Sequence, residues 1–331
     1  MIQQEQQHLD VISQIPPNPR AVLFIAHEGN GSPLTYWEPQ PQQPNCTGVP
    51  DHVAIVKHAL SRGYAVIAIK SVKSFWQDWP PQASQDAHNV VSVLVSWTAQ
   101  HGLERAPIVG LGSGSGGNFL SMLALTIKFS ALVLMVSPGL HKALERAKMA
   151  PASTYPPVLF VHMPKDQTTA SKIHSHEQLL RAKAIPVAQV CCEEFPIAPF
   201  YFAAHIPGFG SDASTKLHAA MQAEGVIDGL GRVLSAPRPP DVCLMLEKFD
   251  VLPLQRDDHS YARLLAEHIH SLMRVAQGRH ATTGRKCPEI FNWLDNQVWG
   301  HPLLPNFPHP KPPPIATSQH RLPFSKFHHG N

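Results

Sequence analysis

The residues with the clearest chemical potential form a glycine-serine run, Gly112-Ser113-Gly114-Ser115-Gly116-Gly117. The run follows an apolar segment at 107–111, so it predicts a sharp turn between a buried strand and a helix. Such a turn can hold a nucleophile only when the residues two before and two after it are small. Ser115 meets this condition, with Ser113 before it and Gly117 after it, and is the candidate nucleophile.

The same run has a second registration. Counted from the strand, Gly112, Gly116 and Gly117 fall on the glycines of the elbow pattern, and Gly114 falls on the nucleophile. The turn would then have no hydroxyl and would be inert. A third interpretation is a phosphate-binding turn, because residues 110–115 begin like a dinucleotide fingerprint but lack its last glycine. The sequence leaves all three alternatives open.

A nucleophilic serine needs a histidine as its base and an acid that orients the histidine. Asp166 ends a predicted strand two elements after the run, where the acid belongs in the chain order serine, acid, histidine. Two histidines are candidates for the base: His268, before the closing helix, and His205, soon after the last strand. The chain has 21 histidines, so position alone does not choose between them.

The loop that begins His27-Glu28-Gly29 is the candidate oxyanion element. In hydrolases a His-Gly pair at this place turns the backbone so that an N–H faces the developing negative charge. Glu28 occupies the expected glycine position and brings a carboxylate beside that site. His27 and Glu28, with Gly114, Gly116 and Gly117, complete the predicted elbow and oxyanion residues.

The elements that would position these residues alternate along the chain. Apolar strands are predicted at 21–26, 64–69, 107–111, 131–136, 157–162 and 187–191. Helical patterns lie between most of them, and this alternation demands a mostly parallel sheet with helices on both faces. The fold class is therefore α/β, and function should gather at the carboxyl ends of the strands.

The chain divides into five predicted segments. They are an N-terminal extension (1–19), an α/β core (20–192), a cap-like insertion (193–250), C-terminal helices of the core (251–299) and a basic tail rich in Pro and His (300–331). The tail is predicted to be disordered or extended. The insertion contains four aromatic residues that would favour a hydrophobic ester or acyl substrate or form the core of the cap: Phe200, Tyr201, Phe202 and Phe209.

Composition limits the classes of partner. The chain is 43% hydrophobic with a net charge of +3, and the tail carries the basic excess, so no nucleic-acid-binding face is predicted on the folded part. The cysteines are odd in number, and the adjacent pair Cys191-Cys192 suits neither a metal site nor a disulfide framework. We therefore expect no metal or other cofactor, and a reducing compartment.

Membrane and targeting signals are also missing from the pattern. No apolar run approaches the roughly 20 residues needed to span a bilayer. Residues 1–19 lack the apolar stretch of a signal peptide and the Arg bias of a transit peptide. The expected location is cytoplasmic.

Six stretches resemble the α/β-hydrolase superfamily, especially uncharacterised plant and algal hydrolase-like proteins with a Gly-Ala-Ser-Ser-Gly-Gly elbow. They lie at 27–32, 48–50, 62–66, 107–117, 162–166 and 266–268. The resemblance implies a serine-hydrolase scaffold with Asp166 as the acid and His268 as the base. The family's elbow places Gly114 on the nucleophile and Ser115 on the second serine, and Glu28 departs from His-Gly. The resemblance thus also implies a changed or lost activity.

Two functions follow from these observations. In the first, Ser115 attacks an ester or acyl substrate, His268 or His205 takes and returns its proton, and Asp166 orients that histidine. In the second, the chain is a catalytically inactive binding or assembly subunit whose proline-rich tail docks on a protein partner.

Overall fold

The computed structural model describes residues 10–77, 79–147, 155–251 and 259–300. In these ranges one sheet contains seven strands: β1 (Val11–Gln14), β2 (Ala21–Ala26), β3 (Tyr64–Ile69), β4 (Ile108–Ser113), β5 (Ala131–Met135), β6 (Val158–His162) and β7 (Val187–Cys191). Their order across the sheet is β1-β3-β2-β4-β5-β6-β7. Only β1 pairs antiparallel, with β3, and the other neighbours in this sheet are parallel.

Helices connect the parallel strands. The helices of the core are α1 (Pro50–Ser61), α2 (Gln85–Gln100), α3 (Ser115–Leu123), α4 (His141–Arg146) and α5 (Gln167–Ala182). After β7 come α6 (Tyr201–His205), α7 (Ser211–Ala223), α8 (Pro239–Lys248), α9 (His259–Gln277) and α10 (Cys287–Trp299).

Two apolar layers enclose the sheet. Leu23 and Ile25 of β2 pack in one layer with residues of α1 and α10, and Val22 and Phe24 pack in the other with residues of α2 and α3. Each residue of β2 is buried, because a strand covered on both faces is apolar along its whole length. The predicted fold class is confirmed: a mostly parallel sheet with helices on both faces.

The sheet also extends into the segment predicted as an N-terminal extension. Ile12 of β1 is buried, and Gln14 Oε1 accepts a hydrogen bond of 3.0 Å from Trp37 Nε1. The strand escaped prediction because its four residues, Val-Ile-Ser-Gln, lie between polar and proline-rich stretches and do not alternate clearly.

The region predicted as a cap-like insertion contains three helices, α6, α7 and α8, which share an apolar core with α9. Three of its four singled-out aromatics, Tyr201, Phe202 and Phe209, are buried in this core, whereas Phe200 is 63% exposed. The buried rings therefore stabilise the helical unit itself. The predicted tail beyond Gly300 lies outside the described residues. No helix in the described ranges is long and apolar enough to cross a membrane.

Candidate functional site

The turn between β4 and α3 has Gly114 at its apex. Gly114 adopts φ 52° and ψ −115°, a backbone conformation that a residue with a side chain enters only under strain. Its N–H donates to the carbonyl of Met135 on the neighbouring strand β5 at 3.0 Å. Ser115 is the first residue of α3, so it follows the apex rather than occupying it.

The neighbouring glycines fit spaces that exclude a side chain. A Cβ added to Gly112, Gly116 or Gly117 would lie 2.5, 2.1 or 2.4 Å from an atom of another residue. A Cβ added to Gly114 would meet nothing closer than 3.8 Å. The required glycines therefore lie two before, two after and three after position 114, which is the spacing of a nucleophile elbow centred on that residue.

The registration that centres the elbow on Ser115 is thus corrected by one residue. The Ser115 hydroxyl is buried and has no hydrogen-bond partner. In a nucleophile elbow, the residue after the nucleophile contributes its backbone N–H to the oxyanion site. Ser115 occupies that position, so the group that matches the elbow pattern is its backbone N–H and not its hydroxyl.

Asp166 lies where the sequence predicts it, after β6, and it pairs with a histidine. Its Oδ1 accepts a hydrogen bond of 3.1 Å from the N–H of Thr169, so that Asp166 caps the N-terminus of α5. Its Oδ2 accepts one of 2.6 Å from Nδ1 of His280, in the loop between α9 and α10. The other ring nitrogen, Nε2, lies 3.8 Å from the point that a Cβ on Gly114 would occupy.

His280 therefore replaces His268 as the partner of Asp166. His268 is buried within α9, and its Nε2 is 2.7 Å from the carbonyl oxygen of Thr47. Burial lowers the pKa of His268 and thereby favours its neutral form. This histidine fixes α9 against the loop before α1 and makes no contact with the elbow in the described contacts.

The alternative base, His205, also lies away from Asp166. It is the last residue of α6, it is exposed, and its Nδ1 donates to the carbonyl of Tyr201 at 2.7 Å. The ring packs on that of Tyr201 with centroids 4.4 Å apart. These contacts are those of a helix-terminal side chain within the helical unit.

The charge of Asp166 determines which way the hydrogen bond with His280 runs. Burial acts to raise the pKa of Asp166, but hydrogen bonds from Thr169 and His280 outweigh it and the pKa is lowered. An ionised carboxylate can only accept, so Nδ1 of His280 carries a hydrogen and donates it to Asp166. Nε2 is then the ring nitrogen on the side of Gly114.

The loop after β2 forms the other side of the elbow. His27 is buried, its Nδ1 donates to the carbonyl of Glu28 at 2.7 Å, and its Nε2 accepts from the N–H of Ser71 at 3.1 Å. Desolvation lowers the pKa of His27, in keeping with a neutral ring that holds the loop. Cβ of Glu28 lies 3.8 Å from the position of a Cβ on Gly114, so this side chain begins beside the apex. Its Oε2 is 3.4 Å from Thr282 Oγ1.

Contacts on both sides hold the loop that carries His280. Asp51 Oδ1 accepts from Thr283 Oγ1 at 3.1 Å and from the N–H of Gly284 at 2.7 Å. Burial raises the pKa of Asp51, although these hydrogen bonds oppose the rise. Arg274 donates to the carbonyl of His280. The histidine is therefore positioned by α1 and α9 as well as by Asp166.

A cavity of about 430 Å³ lies elsewhere along the same loop. Its lining is Cys191, Cys192, Glu193, Glu194, Phe195, Val275, Thr283, Arg285 and Lys286. Neither Gly114 nor His280 lines it, so it is separate from the elbow. Among the described residues, no three His, Cys, Asp or Glu side chains are grouped to hold a metal ion.

Solved structures similar to this chain are named as esterases and hydrolases. One is a carboxyl esterase from Bacillus coagulans, with 11% identity over 56% of this chain and 86% of that chain and a TM-score of 0.42. A second is Est1E from Butyrivibrio proteoclasticus, with 13% identity over 57% of this chain and 86% of that chain and a TM-score of 0.40. A third is an alpha-beta serine hydrolase homologue from Coxiella burnetii, with 15% identity over 58% of this chain and 86% of that chain and a TM-score of 0.38. No family model and no curated protein sequence matches the chain.

Proposed function

We propose that this chain is an α/β-hydrolase-fold protein that binds a small molecule at the elbow and forms no covalent intermediate there. The observation that carries the proposal is the glycine at the apex, Gly114. A Cβ added to it would lie 3.8 Å from Nε2 of His280. Covalent acyl transfer requires a nucleophile within hydrogen-bond reach of its base. The residue in reach of His280 has no side chain.

The retained pair of His280 and Asp166 supports binding. The space that a serine side chain would fill in front of Nε2 is open, since a Cβ at Gly114 meets no atom closer than 3.8 Å. An oriented imidazole beside open space provides a fixed hydrogen-bonding group for a ligand. Binding sites of this kind combine a few fixed polar groups with a concave surface.

The rival is ester or acyl hydrolysis by Ser115. The Ser115 hydroxyl is buried with no hydrogen-bond partner, so no base is placed to take its proton. A serine hydroxyl without an adjacent base is a weak nucleophile. The contacts of Ser115 therefore favour the binding function over hydrolysis.

The assembly function predicted for the tail is not argued from contacts, because residues 301–331 lie outside the described ranges. It stays a prediction that a proline-rich segment docks on a protein partner.

Hydrolysis of p-nitrophenyl butyrate separates the two functions. We expect the wild type, Ser115→Ala and His280→Gln to release nitrophenolate at the same low rate. A wild-type rate well above both variants would overturn the proposal, because it would require Ser115 and His280 to act together. Circular dichroism of each variant shows whether the fold is retained.

A further inference from the structure

The cavity beside the loop between α9 and α10 is a second concave site on this chain. It lies at the carboxyl end of β7, where Cys191 and Cys192 contribute to its wall. Its volume of about 430 Å³ falls in the range of small-molecule pockets, about 300–1,000 Å³. Side chains of both charge signs line it, so the ligand that fits it depends on which of these charges the protein itself neutralises.

Two of the charged side chains in the lining are paired with side chains outside it. Lys286 Nζ lies 2.9 Å from Glu289 Oε1, and Glu194 Oε2 pairs with Lys165 Nζ. The hydrogen bond with Glu289 also raises the pKa of Lys286, as expected for a stabilised ammonium group. These two pairs neutralise one charge of each sign within the lining.

Arg285 is the remaining cation of the lining. Its guanidinium carbon lies 3.5 Å from the centroid of the Phe195 ring, a separation that fits stacking of the guanidinium on the ring face. Stacking holds the side chain in place and leaves the N–H groups at the edge of the guanidinium plane. Among the described residues, no carboxylate pairs with Arg285. An oriented guanidinium of this kind can bind a carboxylate at two points.

Glu193 is the remaining anion of the lining, and it is exposed and unpaired within the part of the chain that the structure describes. Burial raises the pKa of Cys191, and the charge of Glu193 adds to the rise. Burial also raises the pKa of Cys192, but there the charge of Arg285 opposes the rise. Neighbouring strand residues point to opposite faces, and Cys191 is exposed whereas Cys192 is buried. The unpaired anion and the unpaired cation therefore lie on different sides of the strand end.

We propose that this cavity binds a small zwitterion of the free amino acid class, with its carboxylate held by Arg285 and its ammonium group held by Glu193. The two side chains form no ion pair with each other, so their charged groups are more than 4.0 Å apart and one molecule can lie between them. A ligand with a single charge gains one of the two interactions and binds more weakly. The site is separate from the elbow and does not rest on the function proposed for it.

Ligands of one size that differ in charge test the proposal. They are γ-aminobutyrate, butyrate and butylamine, titrated into the wild-type protein at neutral pH and followed by ligand-observed NMR. Glycine and β-alanine extend the series to shorter distances between the two charges. We expect the best of the three zwitterions to bind about fivefold more tightly than butyrate or butylamine, as one additional exposed charge pair would give.

Two variants separate the two charges. Arg285→Gln should weaken the zwitterion and butyrate but not butylamine, whereas Glu193→Gln should weaken the zwitterion and butylamine but not butyrate. Arg279→Gln is the matched control, since Arg279 is an exposed arginine of the same loop that does not line the cavity. If loss of the stacked guanidinium disturbs the loop, Arg285→Lys retains the charge without the planar group and should keep part of the preference for the zwitterion.

Three results would overturn the proposal. The first is that no zwitterion binds more tightly than butyrate and butylamine, and the second is a preference for the zwitterion that survives in both Arg285→Gln and Glu193→Gln. The third is equal weakening of all ligands by either variant, because the lost side chain would then act through the shape of the cavity and not through its charge. Each of these results leaves the function proposed for the elbow intact, whereas ester turnover dependent on Ser115 would overturn that function alone.

Discussion

Replacing Gly114 with serine should install a nucleophile at the apex of the elbow. A Cβ at this position lies 3.8 Å from Nε2 of His280, and the hydroxyl oxygen one bond further on can come within about 2.6–3.2 Å of that nitrogen. A positioned general base contributes roughly a hundredfold to ten-thousandfold to such a reaction. We expect Gly114→Ser to react with a fluorophosphonate probe at least about a hundredfold faster than the wild type.

The substitution also has a calculable effect on stability. A side chain at φ 52° and ψ −115° should lower the free energy of unfolding by about 1–3 kcal/mol. Gly114→Ala is the matched control, because it introduces the same backbone strain without a hydroxyl. Labelling is the assay rather than turnover, since Glu28 should repel the oxyanion formed during ester hydrolysis.

The reasoning is refuted if Gly114→Ser folds with the expected loss of stability but labels no faster than Gly114→Ala. A second requirement is that His280→Gln in the Gly114→Ser background returns labelling to the control rate. Labelling that survives the loss of His280 would mean that the imidazole does not face the apex.

Three further predictions concern residues around the elbow and α1. Ser115→Ala should leave the free energy of unfolding unchanged or raise it by up to about 1 kcal/mol in urea denaturation, because it removes a buried hydroxyl that has no partner; a loss above that size would contradict this. Gly116→Ala should lower the free energy of unfolding by about 3 kcal/mol or more, since its Cβ would lie 2.1 Å from a backbone oxygen. Gly210→Ala is the control and should change the free energy of unfolding little, because open space surrounds that position. Burial, and to a lesser extent the charge of Arg62, lowers the pKa of His58 from 6.5 to about 4. Between these two pH values the unfolded state binds more protons than the folded state, so the free energy of unfolding should fall as the pH falls from about 6.5 to about 4. Urea midpoints measured against pH should show a shallower slope in His58→Gln, and an unchanged slope would refute the assignment.

The sheet could be predicted from the sequence because its strands are buried on both faces. Runs such as Ala-Val-Leu-Phe-Ile-Ala in β2 are apolar throughout, and the helices between them repeat the alternation. The short edge strand β1 carries no such signal. Its pairing depends on β3, more than 50 residues away in the chain, as Val11 pairs with Ile69.

The position of Asp166 was predictable for a different reason. Asp166 follows a clear strand, and the carboxyl end of a parallel strand fixes where such a residue lies. His280 has no comparable signal, because it lies in a loop between two helices and no strand precedes it closely. His268 does not contact Asp166, for a reason visible in the sequence: Leu265, Ile269 and Leu272 place it on the apolar stripe of a helix, which faces the core.

The register of the elbow depended on backbone packing rather than on residue size alone. Small residues flank both Ser115 and Gly114 at the required spacings, so sequence reasoning could not separate the two. The separation comes from the close approach of Gly112 to Gly116 and of Gly116 to the end of β2, which no local pattern encodes.

The intact mass of the wild-type protein after exposure to excess diisopropyl fluorophosphate tests the central claim most directly. The claim is that the elbow keeps His280 and Asp166 but offers them no hydroxyl. The predicted result is an unmodified mass, at neutral pH and at mildly alkaline pH. A single phosphoryl adduct that maps to Ser115 would contradict the account.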